Sequence, residues 1–451
     1  MRRFLFIALA ASLPGSLHMC AAELRAGVAK ADLDPPTGIP MAGYGTARFA
    51  KGTLDPIEAR VLALSDGSST IALVTLDLCF TFDEKVMSRI REDVRSSVGE
   101  VIFHASHTHS GPTYSEAPQA LEHAVPRIEG AIREAARKML PVRIGNGWGQ
   151  TQIGFNRRYL EMDGTVQMLW RNETKISTTF PVDPTVGVIR IDRNDGNPVA
   201  ILVNYACHPV VLGPENLNYS ADYPSEMRRY VEQEMGAGAM AFFLQGAPGD
   251  INPYFDKTPL IEDAVNVMKQ TGDQLGAEAV RVARSIKTAP AQNPRIQTKT
   301  VVLAVANRWN TAQLEEQLGQ LRTSPGIAKR LLVKEMQVPV TTLLLSLGSA
   351  DRDLAMVGFA GEPFVEFQLQ LRAKSPLPNS FLLGYTNGYF AYLPTIAAAS
   401  RGGYGANSTV NPTEVGTGER MLNTGLISIY ELLGMLSETP GKPRELTRSP
   451  Q

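Results

Sequence analysis

Three of the six histidines in this chain fall within Val101-Ile-Phe-His-Ala-Ser-His-Thr-His-Ser-Gly-Pro112. Neutral imidazole is a common ligand of catalytic metals. The segment reads as an apolar strand that runs through His109 into a Ser-Gly-Pro turn. Residues two apart on a strand share a face, so His107 and His109 are predicted side by side, with His104 turned the other way into the core. A lone histidine at a strand end is most often a satisfied polar group. Two on one face before a Gly-Pro turn point instead to a metal-centred hydrolase. Three more segments turn polar where an apolar run stops. They are Asn204-Tyr-Ala-Cys-His-Pro209, with His208; Val357-Gly-Phe-Ala-Gly-Glu-Pro363, with Glu362; and Gly384-Tyr-Thr-Asn-Gly-Tyr-Phe-Ala-Tyr-Leu-Pro394. Loops at strand ends are where α/β enzymes assemble catalytic sites. The competing reading of Glu362 is a carboxylate in the first turn of a following helix.

These segments must be positioned by regular elements, and strand and helix signals alternate along most of the chain. Thr70–Leu76 is a near-continuous apolar run, as in a strand covered on both faces. Phe82–Val98 has a helical repeat through Val86, Ile90 and Val94, and Ala117–Leu140 reads as a helix interrupted near Pro126. Gly187–Asn204 reads as a hairpin around Asn-Asp-Gly-Asn, and Thr341–Leu347 with Leu354–Phe359 as a second. Further helices are predicted over Pro224–Glu234, Ile261–Ile286, Ala312–Leu321 and Glu414–Leu433. The alternation implies an α/β fold, a layered mixed β-sheet flanked by helices. Thr288–Pro294 is the linker-like stretch, where two lobes would join. Asp77, ending Val74-Thr-Leu-Asp, is placed either to orient a ligand histidine or in a structural hydrogen bond. His123 is expected to be solvated on its helix.

Bulk composition narrows the function classes. The chain has 451 residues, is 43% hydrophobic and 20% charged, and carries a net charge of -1. This balance leaves no electrostatic footprint for nucleic acid or for an anionic membrane surface. Arg2-Arg3, the short apolar run Phe4–Pro14 and Cys20-Ala21-Ala22 describe a secretory signal peptide over residues 1–22. The competing lipoprotein reading, with lipid on Cys20, is disfavoured by the bulky Met19. Export to the periplasm or medium is therefore expected. The remaining Cys79 and Cys207 make no disulfide framework and are expected as buried thiols. No later stretch is long and apolar enough to span a bilayer. The mature domain is expected over 23–437, with a flexible tail over 438–451.

Taken together, the His-Thr-His-Ser-Gly-Pro and Gly-Tyr-Thr-Asn-x-Tyr-x-x-Tyr-Leu motifs, in this order, resemble the neutral, non-lysosomal ceramidase family over about Ala26–Leu433. The resemblance implies a ceramidase-like catalytic domain, zinc as cofactor, and cleavage of a linear amide in sphingolipid metabolism. It implies zinc ligands at His107, His208, Glu362 and Tyr392. It places His109, Arg157 of Gly154-Phe-Asn-Arg-Arg158, and Tyr404, twelve residues after Tyr392, as catalytic. Two histidines and a carboxylate leave room for water on zinc, and zinc lowers the pKa of that water to about 7. Where the family carries serine in a Gly-Asp-x-Ser-Pro loop, Gly246-Ala-Pro-Gly-Asp-Ile-Asn-Pro253 has Asn252. Asp250 and Asn252 are substrate-binding candidates, with turn roles as the alternative. An amide cannot form an acyl-enzyme, so the implied nucleophile is zinc-bound water. The chain also stops where the family continues into an immunoglobulin-like domain. The implied partner is a small-molecule or lipid N-acyl substrate, met in part by peripheral membrane contact. A zinc hydrolase of another ester or sugar-derived substrate and a non-catalytic binding protein are the alternatives. Intact His107, His208 and Glu362 argue against the last.

Overall fold

The computed structural model describes residues 23–436 apart from 46, 237, 311, 317–331 and 409. The leader expected over 1–22, the tail over 438–451 and the second half, 317–321, of the helix expected over Ala312–Leu321 lie outside the described residues. Two mixed sheets pack face to face, each covered on its outer side by helices. The larger has nine strands. Eight are β1 Arg25–Asp32, β2 Glu58–Ser65, β3 Thr70–Leu76, β4 Glu100–Ala105, β5 Leu140–Gln150, β6 Thr185–Arg193, β7 Pro198–Tyr205 and β8 Met240–Gln245, in the order β8-β7-β6-β5-β1-β2-β3-β4. The short Ala289–Pro290 strand pairs with β5, so the linker-like stretch is stitched to the larger sheet before the chain enters the second. The second sheet is β9 Arg295–Ala306, β10 Glu335–Ser346, β11 Leu354–Phe359 and β12 Asn379–Leu383, in chain order. The pairs β3·β4, β7·β8 and β11·β12 are parallel. The other pairings along these two orders are antiparallel.

The apolar strands follow from this layering. In β3, Ile71 and Leu73 face the second sheet, where they join Leu343, Leu345, Met356 and Phe381. Ala72, Val74 and Leu76 face outward, onto helices α1 Glu84–Asp93 and α2 Pro118–Arg137. The larger sheet's other half is covered by α3 Tyr223–Met235 and α4 Ala264–Ser285, and the second sheet by α5 Val365–Lys374 and α6 Thr417–Leu432. With both faces dry, a strand has no polar side. Truncating an inter-sheet leucine such as Leu73 costs about 2–5 kcal/mol.

Both predicted hairpins form, with Gly187 opposite Asn204 and Leu345 opposite Leu354. Three expectations are corrected. Helix α1 is shorter than Phe82–Val98. Helix α2 runs through Pro126 without interruption; Glu122 and Pro126 both lie on its exposed face, where water can take the carbonyl that proline leaves unpaired. The strand carrying the histidines ends at Ala105, well short of His109.

The strand ends of the two sheets are tied together by His104. Its Nε2 accepts the Gln245 backbone N–H at 2.8 Å, so the proton sits on Nδ1, 3.2 Å from Thr386 Oγ1. Gln245 continues the tie. Its Oε1 accepts from Cys207 N, and its Nε2 donates to Ser106 O and Cys207 O. Asn387 brackets Phe103, donating its backbone N–H to Phe103 O and accepting Phe103 N–H on Oδ1, both at 2.9 Å. The turn after β12 is thereby fixed to the ends of β4 and β8.

Candidate metal centre

Beyond Ala105 the chain leaves the sheet but stays pinned to the segment after β3. Ser106 N donates to Leu76 O and His107 N to Leu78 O. His107 has φ +70°, a left-handed conformation uncommon outside glycine and one that tends to mark functional sites. Strand alternation therefore does not bring His107 and His109 together. The left-handed turn does, leaving their Nε2 atoms 3.1 Å apart. His107 Nδ1 donates to Cys79 O at 2.8 Å, and Tyr385 stacks on its ring at 4.1 Å.

His208 follows β7, and its backbone N–H and Nδ1 both donate to Ile251 O. Glu362 follows β11, beyond the reach of α5, which starts at Val365. A short parallel pairing sets it opposite Tyr392, and Tyr389 donates to its Oε1 at 2.7 Å. The other oxygen, Oε2, lies 3.6 Å from His107 Nε2 and 3.3 Å from His208 Nε2. The three ligand atoms lie within 4.8 Å of one another and are buried.

This arrangement fits a metal ion. Both Nδ1 protons are committed to backbone carbonyls, so both Nε2 atoms present lone pairs to a carboxylate oxygen. His208 Nε2 and Glu362 Oε2 have no hydrogen-bond partner. Three buried acceptors facing one another with no proton between them are unfavourable unless a cation joins them. Burial alone would raise the Glu362 pKa, but His107, His208 and the Tyr389 bond hold it at about 2. Burial lowers that of His107 to about 4, against the pull of Glu362. All three ligand atoms are thus unprotonated at neutral pH, with His107 Nε2 contacted by His109 Nε2 at 3.1 Å. The alternative trio of Cys79, His107 and His109 fits less well, because His107 Nδ1 is committed to Cys79 O and burial pushes the Cys79 thiol well above its ordinary pKa.

The other sequence-derived candidates sit around this cluster at different depths. His109 Nδ1 is buried without a partner. Its ring meets Tyr44 edge-on at 4.9 Å, and Gly43, at φ +101°, covers it so closely that a Cβ would fall 2.4 Å from its Cγ. Arg157, 4% exposed, donates to Gly249 O at 2.7 Å and to Tyr392 OH at 3.2 Å. Its guanidinium lies 5.3–5.6 Å from the rings of Trp170, Tyr392 and Tyr404. Burial works against that charge, but Tyr392, Tyr404 and Glu362 hold the pKa above its ordinary value. Arg158 turns away, to Gly402 O and Ala398 O. Tyr404 is 37% exposed and meets Tyr392 edge-on at 5.5 Å.

Asn252 is buried between Arg157 and Asp256. Asp250 accepts from Asn156 Nδ2 and Val365 N, one bond on each oxygen, which is a structural position. Asp77 does not touch a histidine. Its carboxylate is clamped by Arg228 at 2.5 and 2.7 Å and accepts Glu58 N. Sequence reading missed Tyr389 and Lys257. Tyr389 stood inside the quoted Gly384–Pro394 motif, whereas Lys257 carried no signal.

No protein-family model matches the chain. Its fold does match solved ceramidases. The neutral ceramidase from Pseudomonas aeruginosa superimposes with a TM-score of 0.71 over 93% of this chain and 76% of that one, at 17% sequence identity. A ceramidase complexed with C2 matches with the same figures. The likeness is one of fold. The chain is a ceramidase-like mixed α/β protein whose buried His107, His208 and Glu362 could hold a metal ion.

Proposed function

We propose that this chain is an exported, zinc-dependent hydrolase that cleaves the amide of ceramide or another N-acylated compound. The observation that carries the reading is the convergence of His107 Nε2, His208 Nε2 and Glu362 Oε2 without a proton between them. Those three residues would hold the ion, with Tyr392 beside Glu362 completing the set. Zinc bound there supplies Lewis acidity and lowers the pKa of water to about 7. Arg157, buried among aromatic rings, donates to the oxygen on which negative charge develops, where a low-dielectric setting makes that bond strong. His109, with its unpartnered Nδ1, takes up the proton that the attacking water loses and passes it to the leaving amine. The partly exposed Tyr404 positions the substrate. The Asn252 amide is committed to Arg157 and Asp256 and is no nucleophile, so water is the attacking group.

The second reading keeps the same centre but changes the substrate to another ester or a sugar-derived compound. It is favoured by Asn252, which stands where the resembled family has serine. The test is metal content together with hydrolysis of a fluorogenic short-chain ceramide, with and without chelator, on protein lacking residues 1–22. Zinc near one equivalent with chelator-sensitive cleavage is the expected result. Zinc without cleavage of ceramide moves the assignment to the second reading. Full activity in His107→Ala would overturn both.

A further inference from the structure

Asp256 is 0% exposed. Its Oδ2 accepts from Lys257 Nζ at 2.6 Å and from Asn252 Nδ2 at 2.7 Å, and Asn252 Oδ1 accepts from Arg157 Nη1 at 3.1 Å. We propose that Lys257 and Asp256 are positioning residues that fix the orientation of the Asn252 amide and, through it, the Arg157 guanidinium.

The direction of the relay follows from donor and acceptor chemistry. An ionised carboxylate only accepts. Facing Asp256, Asn252 must therefore present its NH2 group and turn its oxygen towards Arg157. A neutral, protonated Asp256 could donate and would permit the flipped amide, whose NH2 would then face the guanidinium, donor against donor. Lys257 opposes this by holding its ammonium against Asp256, which favours the negatively charged carboxylate where burial alone favours the neutral acid. A second coupling reinforces the first. The Lys257 ammonium lies 4.2 Å over the face of Trp170, the ring that also flanks Arg157 at 5.6 Å. Lys257 itself is left-handed, with φ +50°, a conformation that side chains seldom adopt without compensation. Its side chain is 31% exposed, so it closes the relay at the edge of the site.

The relay also decides which Arg157 donor is left over. Nη1 serves Asn252, and Nη2 serves Gly249 O and Tyr392 OH. Nε is buried with no partner. A clamped guanidinium whose buried Nε–H is spare is preorganised to bond a substrate oxygen, and preorganisation rather than bond count sets the benefit.

The test does not depend on turnover. The Arg157 Nε–H resonance, identified by its loss in Arg157→Lys, is followed by proton–nitrogen NMR in the full chain. In Lys257→Met, which keeps the stem over Trp170, and in Asp256→Asn, the resonance should broaden or shift, while Lys257→Arg should restore it. Metal content should stay unchanged. This inference rests on the hydrolase reading only for its kinetic arm. There, kcat should fall about 10–100-fold in Lys257→Met with KM little altered, as for a misplaced catalytic group. An unmoved Arg157 resonance in both variants would overturn the relay. So would a rise in KM alone, which would make Lys257 a substrate contact. Absence of any amide turnover would sink the proposed function and leave the resonance test standing. If Lys257→Met does not fold, Asp256→Asn decides the question.

Discussion

His104 offers a direct test of how the two sheets are held together, through His104→Gln. In the native protein the imidazole is buried and neutral, and burial depresses its pKa to about 3 from an ordinary 6.5. Protonation would set an Nε2–H against the Gln245 N–H that it now accepts. The unfolded chain binds this proton below pH 6.5 and the native one does not. The stability associated with His104 is therefore complete above 6.5 and is lost as pH falls towards 3. At pH 5 the loss is about 2 kcal/mol, from roughly 1.5 pH units at 1.36 kcal/mol each. Glutamine keeps one donor and one acceptor but cannot titrate. The variant should be less stable than the parent at pH 8 by about 1–3 kcal/mol, from imperfect hydrogen bonds at a buried site. That gap should shrink by about 2 kcal/mol at pH 5. The assay is urea unfolding followed by tryptophan fluorescence for both proteins across pH 5–8, with coincidence of probes as the two-state check. Taking the difference removes the other titrating groups. A gap that does not change with pH would refute the argument, because the parent's His104 would then titrate alike in both states.

Three further outcomes follow from single contacts. Arg228→Met strands the buried Asp77 carboxylate with only Glu58 N as partner, and should cost about 3–5 kcal/mol; an unchanged thermal midpoint would contradict this. Tyr389→Phe removes the donor to Glu362 Oε1 and should weaken the affinity of the proposed metal site for zinc about 10–100-fold, read by competition with a chelating dye, while circular dichroism is preserved. Gly43→Ala places a Cβ against His109 at a left-handed φ. It should abolish most activity at a stability cost of about 1–3 kcal/mol, and normal turnover in this variant would remove His109 from the mechanism.

Much of the scaffold was legible because its signals are local. Thr70–Leu76 reads as a doubly covered strand from its composition alone, and the Asn-Asp-Gly-Asn turn fixes the register of its hairpin. The second sheet was not separable from the first, because a strand buried by another sheet and one buried by helices carry the same apolar run. For the site, the four motifs at strand ends were visible, but the reason for the His107–His109 contact was not. Strand alternation suggested it, whereas a positive φ at His107 produces it. Arg228, which claims Asp77, lies 151 residues away in sequence, beyond any pattern of spacing. The Lys257–Asp256–Asn252–Arg157 chain was equally hidden, since its polarity depends on three-dimensional donor and acceptor matching.

The two sheets contribute unequal shares of the candidate metal cluster. His107 and His208 belong to the larger sheet and Glu362 to the second, and these are brought within reach by the turn after β12. A chain emerging from the ribosome therefore completes its histidine pair long before its carboxylate exists. Until the second sheet closes over the first, only two of the three ligands can be offered, and a divalent ion has little reason to stay. Ion capture at this site would thus report the end of folding rather than guide its start, and a metal-loaded molecule would have a closed inter-sheet seam.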